Sequence, residues 1–183
     1  MTLDERIARI QLLLLDVDGV LTDGGMYYGD QGEALKRFDV KDGHGIVMWR
    51  VSGKRTGILS ARNSEITAKR AAELKIDPVL QAQRDKRLGF AHACEVTGLA
   101  PEQIAYIGDD TNDLAPLELC GLAFVPSDGA EEAKAVAHHV LRAPGGRGAV
   151  REAIELMIKS RGVWDQVIAV MRAGTFPPPV IGH

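Results

Sequence analysis

The chain has 183 residues, 45% hydrophobic and 26% charged, with a formal net charge of -3. This ordinary globular mixture suits one domain with a sizeable core. It offers no basic stripe for nucleic acid and no apolar run near the roughly 20 residues that span a bilayer.

The opening residues Met1-Thr2-Leu3-Asp4-Glu5 lack the basic-then-apolar pattern of a signal peptide. Cys94 and Cys120 sit singly, as reduced, buried thiols do, so the expected location is cytoplasmic. Gln11 to Asp18 reads as the first strand. A hairpin follows, with β-rich arms Gly25–Gly29 and Ala34–Val40 around the turn Asp30-Gln31-Gly32-Glu33. Its arms are expected to expose Met26, Tyr28, Leu35 and Phe38, an apolar set that needs a partner surface such as another subunit. Beyond it, helical stretches at Gly45–Val51, Ser64–Leu74, Asp85–Thr97, Asp113–Leu119 and Gly129–Ala137 alternate with strands at Arg55–Ser60, Pro78–Leu80, Ile104–Ile107 and Leu122–Val125. That alternation predicts an α/β fold, a mostly parallel sheet with helices on both faces. Ala149–Ser160 and Val163–Arg172 read as closing helices. A single domain is expected over residues 1–173, with the hairpin flap at about 25–40. Residues 174–183, with Pro177-Pro178-Pro179, are expected to form an extended tail.

Two carboxylate clusters carry the chemistry. Asp16-Val17-Asp18-Gly19 follows the apolar run Leu12-Leu13-Leu14-Leu15, and Gly108-Asp109-Asp110-Thr111-Asn112-Asp113 follows Ile104-Ala105-Tyr106-Ile107. Both lie at the carboxyl ends of strands, where open α/β sheets build their sites. Crowded carboxylates need a cation, and oxygen ligands without His or Cys favour Mg²⁺. The pattern points to phosphoryl transfer through an aspartyl phosphate. Asp16 is the nucleophile, and Asp18 protonates the leaving alkoxide and then activates water. Asp109 completes the metal shell with Asp16 and the Asp18 backbone carbonyl, with Asp110 and Asp113 placed in its outer shell. Lys86 supplies a cation for the transferring phosphoryl, and Ser60 offers a hydroxyl to a phosphate oxygen. His44, His92, His138 and His139 show no ligand spacing and read as surface or capping residues.

These elements, in this order, resemble the haloacid dehalogenase superfamily of phosphatases. The stretches Asp16–Gly24, Phe38–Gly45 and Gly145–Glu152 narrow the likeness to the 3-deoxy-D-manno-octulosonate (KDO) 8-phosphate phosphatases. The resemblance implies a Rossmann-like three-layer sandwich with a β-hairpin flap and no large cap domain. It implies a homotetramer whose hairpins meet at the centre, and a small-molecule sugar phosphate as substrate. The product would be KDO for lipopolysaccharide. Related phosphatases of nine-carbon, sialic-acid-type sugars carry Glu where this chain has Arg62, and Arg62 suits a substrate carboxylate. That nine-carbon activity is the alternative reading. A non-catalytic oligomerisation module is another, and the presence of Asp16, Asp18, Lys86 and Asp109 argues against it. Two positions where the family usually has Gly are Ala61 and Ala82 here.

Overall fold

In the computed structural model, which describes residues 1–174, four consecutive leucines make the centre of the molecule. Strand β1 (Leu12–Leu15) is wholly buried and pairs in parallel with β4 (Arg55–Leu59) on one side and β6 (Ile104–Ile107) on the other. A strand covered on both faces reads as an unbroken apolar run, and this one does. With β5 (Val79–Leu80), β7 (Leu122–Val125) and β8 (His139–Val140) the sheet has the order β5-β4-β1-β6-β7-β8, all parallel.

Side chains alternate across the sheet and feed two helix layers. Leu13 and Leu15 pack on one side, with α1 (Leu3–Arg9), α2 (Val40–Val51), α3 (Glu65–Leu74), α7 (Ala149–Ser160) and α8 (Trp164–Ala173). Leu12 and Leu14 pack on the other, with α4 (Lys86–Thr97), α5 (Leu114–Leu119) and α6 (Glu131–Val136). This is the expected three-layer, Rossmann-like sandwich. The chain runs from β1 to β4 and β5 in one direction, then returns to β6, β7 and β8 in the other. The crevice at the carboxyl end of β1 is therefore the switch point of the sheet.

Several boundaries differ from the sequence reading. Helix α2 begins at Val40, not Gly45, because Asp39 caps it by accepting the Lys41 amide at 2.7 Å. Gly43 and Gly45 hide this start as poor helix formers, yet both face close neighbours. A Cβ on Gly43 would lie 2.3 Å from Arg70 Nη2, and one on Gly45 would lie 3.2 Å from the Arg151 Cα. Buried Asp42 then caps a different helix, accepting the amides of Gly148, just before α7, and of Arg151 within it at 3.1 and 2.8 Å. Helix α1 and edge strand β8 are additions to the reading. Cys94 is half-buried rather than buried, while Cys120 is buried as expected.

The hairpin is present but shorter, with β2 (Tyr27–Gly29) antiparallel to β3 (Gly32–Leu35). Gly32 and Glu33 belong to its second arm rather than its turn. Met26, Tyr28 and Leu35 are exposed as expected. Phe38 is not. It packs against the core beneath the Arg70 guanidinium, 5.9 Å from the ring centroid. The tail expected at 174–183 lies, Gly174 apart, outside the described residues.

Candidate active site

Asp16 ends the central strand, its amide still bonded to the Ile107 carbonyl at 3.0 Å. The chain then turns sharply. Gly19 has φ +89°, and a Cβ there would stand 2.0 Å from Asp109 Oδ2, so only glycine lets the two acidic loops meet. The loop at Gly145-Gly146 closes over this turn from outside. A Cβ on Gly145 would sit 1.8 Å from the Gly19 carbonyl oxygen. The distant glycine motif is therefore a brace for the first acidic loop.

Lys86 opens α4 behind the Asp85 cap, and is 3% exposed. Its ammonium lies 2.9 Å from Asp16 Oδ2 and 2.5 Å from Asp113 Oδ1. Asp113 is fully buried and fully engaged. Oδ1 also accepts the Tyr106 hydroxyl at 2.5 Å, and Oδ2 accepts the Asp109 and Asp110 amides at 3.0 and 3.3 Å. Sequence reasoning puts Asp113 in a metal's outer shell. Here its carboxylate ties Lys86 to the second acidic loop. Asp110 accepts the Thr111 amide at 2.6 Å.

A cavity of about 200 Å³ holds Asp16, Asp18, Ser60, Arg62, Asp109 and Asn112 in its wall. Ser60 is buried at the end of β4, and its Oγ accepts the Arg62 amide at 3.3 Å, which leaves its proton free to donate. Arg62 points Nε at Asp18 Oδ2 across 3.7 Å and donates from Nη2 to the Tyr28 hydroxyl at 2.9 Å. A wider groove of about 730 Å³ between α4 and α5 touches Lys86 but none of Asp16, Asp18 or Asp109. The carboxylates thus face the smaller cavity.

The electrostatics call for a cation. Burial, opposed by Lys86 and reinforced by Asp113, pushes Asp16 up to about 7. Burial, with the charges of Asp16 and Asp113, pushes Asp109 up to about 8. Burial works against the Lys86 ammonium, but Asp16 and Asp113 outweigh it and hold its pKa above the usual range. Asp109 Oδ1 is buried without a hydrogen-bond partner, and one oxygen from each of Asp16, Asp109 and Asp113 lies within 4.8 Å of the others. An orphaned oxygen in an all-oxygen donor set fits a hard divalent ion such as Mg²⁺.

Asp16, Asp18, Ser60, Arg62, Asp109 and Asp110 thus share one cavity wall, with Lys86 against Asp16 and Asp113 against Lys86. Sequence reasoning missed Lys36, Glu33 and Tyr28, which the hairpin brings against Asp18 and Arg62 of the cavity wall, and Tyr106, which bonds to Asp113. Lys36 bonds to Asp18 Oδ1, and Glu33 bonds to Ser64 Oγ. The available signal was the Glu33/Lys36 pair, three residues apart in the segment that follows the first cluster.

Residues 55–154 match the model of the haloacid dehalogenase-like hydrolases. The 3-deoxy-D-manno-octulosonate 8-phosphate phosphatase of Escherichia coli K12 is 40% identical over 157 residues, covering 86% of this chain and 84% of that one. The crystal structure of the phosphatase of that name from Moraxella catarrhalis, in complex with magnesium, phosphate and KDO, aligns with a TM-score of 0.88. It is 34% identical, over 92% of this chain and 97% of that one. A cobalt-bound form of the Haemophilus influenzae phosphatase aligns at 0.86 with 36% identity, over 90% and 99% of the two chains.

Proposed function

The chain belongs to the haloacid dehalogenase-like hydrolases, among the KDO 8-phosphate phosphatases, and we propose the following roles for its residues in hydrolysing that sugar phosphate. The protein is a magnesium-dependent phosphatase. Asp16 attacks phosphorus and forms an acyl phosphate as the bond to the sugar oxygen breaks. Asp18 gives its proton to that oxygen. It then takes a proton from the water that attacks the acyl phosphate, releasing inorganic phosphate and restoring Asp16. Ser60 donates its hydroxyl to a phosphoryl oxygen, and Lys86 offsets charge on the phosphoryl while holding Asp16 in line. Asp16, Asp109 and the Asp18 carbonyl would hold Mg²⁺, which would supply further positive charge against the phosphoryl oxygens.

Arg62 stands at the cavity wall as the partner for the substrate carboxylate. The exposed apolar residues Met26, Tyr28 and Leu35 support assembly through the hairpins, as a homotetramer. No helix among the described residues is long and apolar enough to cross a membrane. The enzyme acts in the cytoplasm, supplying KDO for lipopolysaccharide precursors.

The observation that carries these roles is the convergence of Asp16, Asp18, Ser60 and Asp109 on one small cavity, with Lys86 against Asp16. The test is phosphate release from a panel of sugar phosphates, with Mg²⁺ and with EDTA. KDO 8-phosphate should give the highest specificity constant, and EDTA should abolish release. Preference for the nine-carbon sugar phosphates would transfer the assignment to the alternative activity.

A further inference from the structure

The hairpin is inside out. Its apolar Tyr28 and Leu35 are 64% and 50% exposed, whereas the Lys36 side chain is 2% exposed. Lysine is rarely buried without a partner, and its long side chain loses entropy when fixed. Lys36 is fixed by two carboxylates. Its ammonium bonds to Asp18 Oδ1 and lies 3.1 Å from Glu33 Oε1. Glu33 in turn bonds through Oε2 to Ser64, the N-cap of α3. The chain Ser64, Glu33, Lys36, Asp18 therefore ties the hairpin to the scaffold at one end and to the cavity at the other.

We propose that Lys36 is a positioning residue for Asp18, which makes the protonation of the leaving group depend on the hairpin lying over the site. This rests on the role of Asp18 as acid and base given above. Lys36 occupies Oδ1, and among the described residues no hydrogen bond reaches Oδ2. Arg62 Nε stands 3.7 Å from it. Oδ2 is thus the oxygen free to carry the transferable proton. As the bond between phosphorus and the leaving oxygen breaks, its electron pair stays on that oxygen. The oxygen takes the Oδ2 proton, and Asp18 is left as carboxylate facing Lys36. Without the ammonium the carboxyl is free to rotate, and the proton is presented to the alkoxide only part of the time. Proton transfer by a positioned group contributes about 10²–10⁴ in rate, so partial loss of aim should cost about one to two powers of ten where the acid is needed.

The leaving group discriminates this role from a structural one. Nitrophenolate departs well without a proton, and phenolate does not. The full-length enzyme with Mg²⁺ is assayed on para-nitrophenyl phosphate and phenyl phosphate, comparing kcat/KM, which excludes the shared hydrolysis of the acyl phosphate. In Lys36→Met, and in Lys36→Gln as a second neutral variant, phenyl phosphate should lose about tenfold more than para-nitrophenyl phosphate. An equal loss on both esters, or no loss on either, overturns the proposal. Asp18→Asn is the control. If it raises the ratio while the Lys36 variants do not, Lys36 has no positioning role. If it leaves the ratio unchanged, the assignment of Asp18 as the acid falls.

Discussion

Stripping the metal should make this fold lose stability as pH rises from about 5 to about 8. The folded chain raises Asp16 to about 7 and Asp109 to about 8, both from an ordinary 3.8. Over that window the folded chain keeps protons that the unfolded chain has already released. Unfolding therefore releases protons, and rising pH favours it. Stability from these two groups is greatest below the ordinary carboxylate range and is gone above their folded values. Each proton held is worth about 1.4 kcal/mol per pH unit, so two set a ceiling near 3 kcal/mol per unit. Asp16 and Asp109 repel each other and share Lys86, so roughly half that ceiling is expected. For a chain of this size it corresponds to about 3–6 °C in Tm per pH unit. Bound Mg²⁺ competes with the protons, so its stabilisation should grow with pH. The assay is thermal melting followed by circular dichroism across this pH range, with EDTA and with saturating Mg²⁺. Asp42, raised by burial, and His138, lowered by it, titrate with or without metal and cancel in the difference. Asp109→Asn, neutral at every pH, should flatten the EDTA curve. An EDTA curve no steeper than the Mg²⁺ curve, or an Asp109→Asn curve as steep as the parent's, refutes the reasoning.

Asp16→Asn should lower kcat by several powers of ten with its far-ultraviolet dichroism unchanged, since an amide is no nucleophile toward phosphorus. Retention of a tenth of the activity removes Asp16 from that role. Ala82 stands where the family usually has Gly and adopts φ +58°. Ala82→Gly should therefore stabilise the fold by about 0.5–1 kcal/mol in urea melts, the relief of left-handed strain exceeding the added unfolded-state entropy. Charging the exposed hairpin face with Tyr28→Asp and Leu35→Asp should lower the oligomeric state by sedimentation. A double variant that sediments as the parent does refutes the hairpin interface.

What the sequence revealed follows the range of its signals. Asp16, Asp18, Ser60 and Asp109 were legible because each sits within a few residues of an apolar strand end, and strand ends in a parallel sheet converge. Lys86 carries no local signal of burial, and only its order among the other motifs marks it. Fold class was legible from β1, whose four leucines match the burial of a central parallel strand. Lys36 was missed because apolar alternation along the hairpin assigns lysine to solvent. The carboxylate that reverses this, Asp18, lies 18 residues away in sequence. Phe38 was misassigned for a like reason, since its cover comes from Arg70 on another helix. The start of α2 was hidden by Gly43 and Gly45, which lie close to Arg70 of α3 and Arg151 of α7, neighbours that no local pattern encodes.

The charges divide the site into two halves with different needs. Beneath the cavity, Asp16, Asp109 and Asp113 face one ammonium, that of Lys86, and are two positive charges short of balance. At the mouth, Asp18 and Glu33 face Lys36 and Arg62 and are balanced already. A divalent ion restores the lower half and has no deficit to fill in the upper one. Lys36 is committed to Asp18 and Glu33, so it does not stand in for a missing metal. Losing the metal therefore acts on the phosphoryl group and on the stability of the buried cluster. Loosening the hairpin acts on the leaving-group side, through Asp18. The two faults separate by readout: metal loss changes the pH dependence of melting, and hairpin loss changes the dependence of kcat/KM on the leaving group.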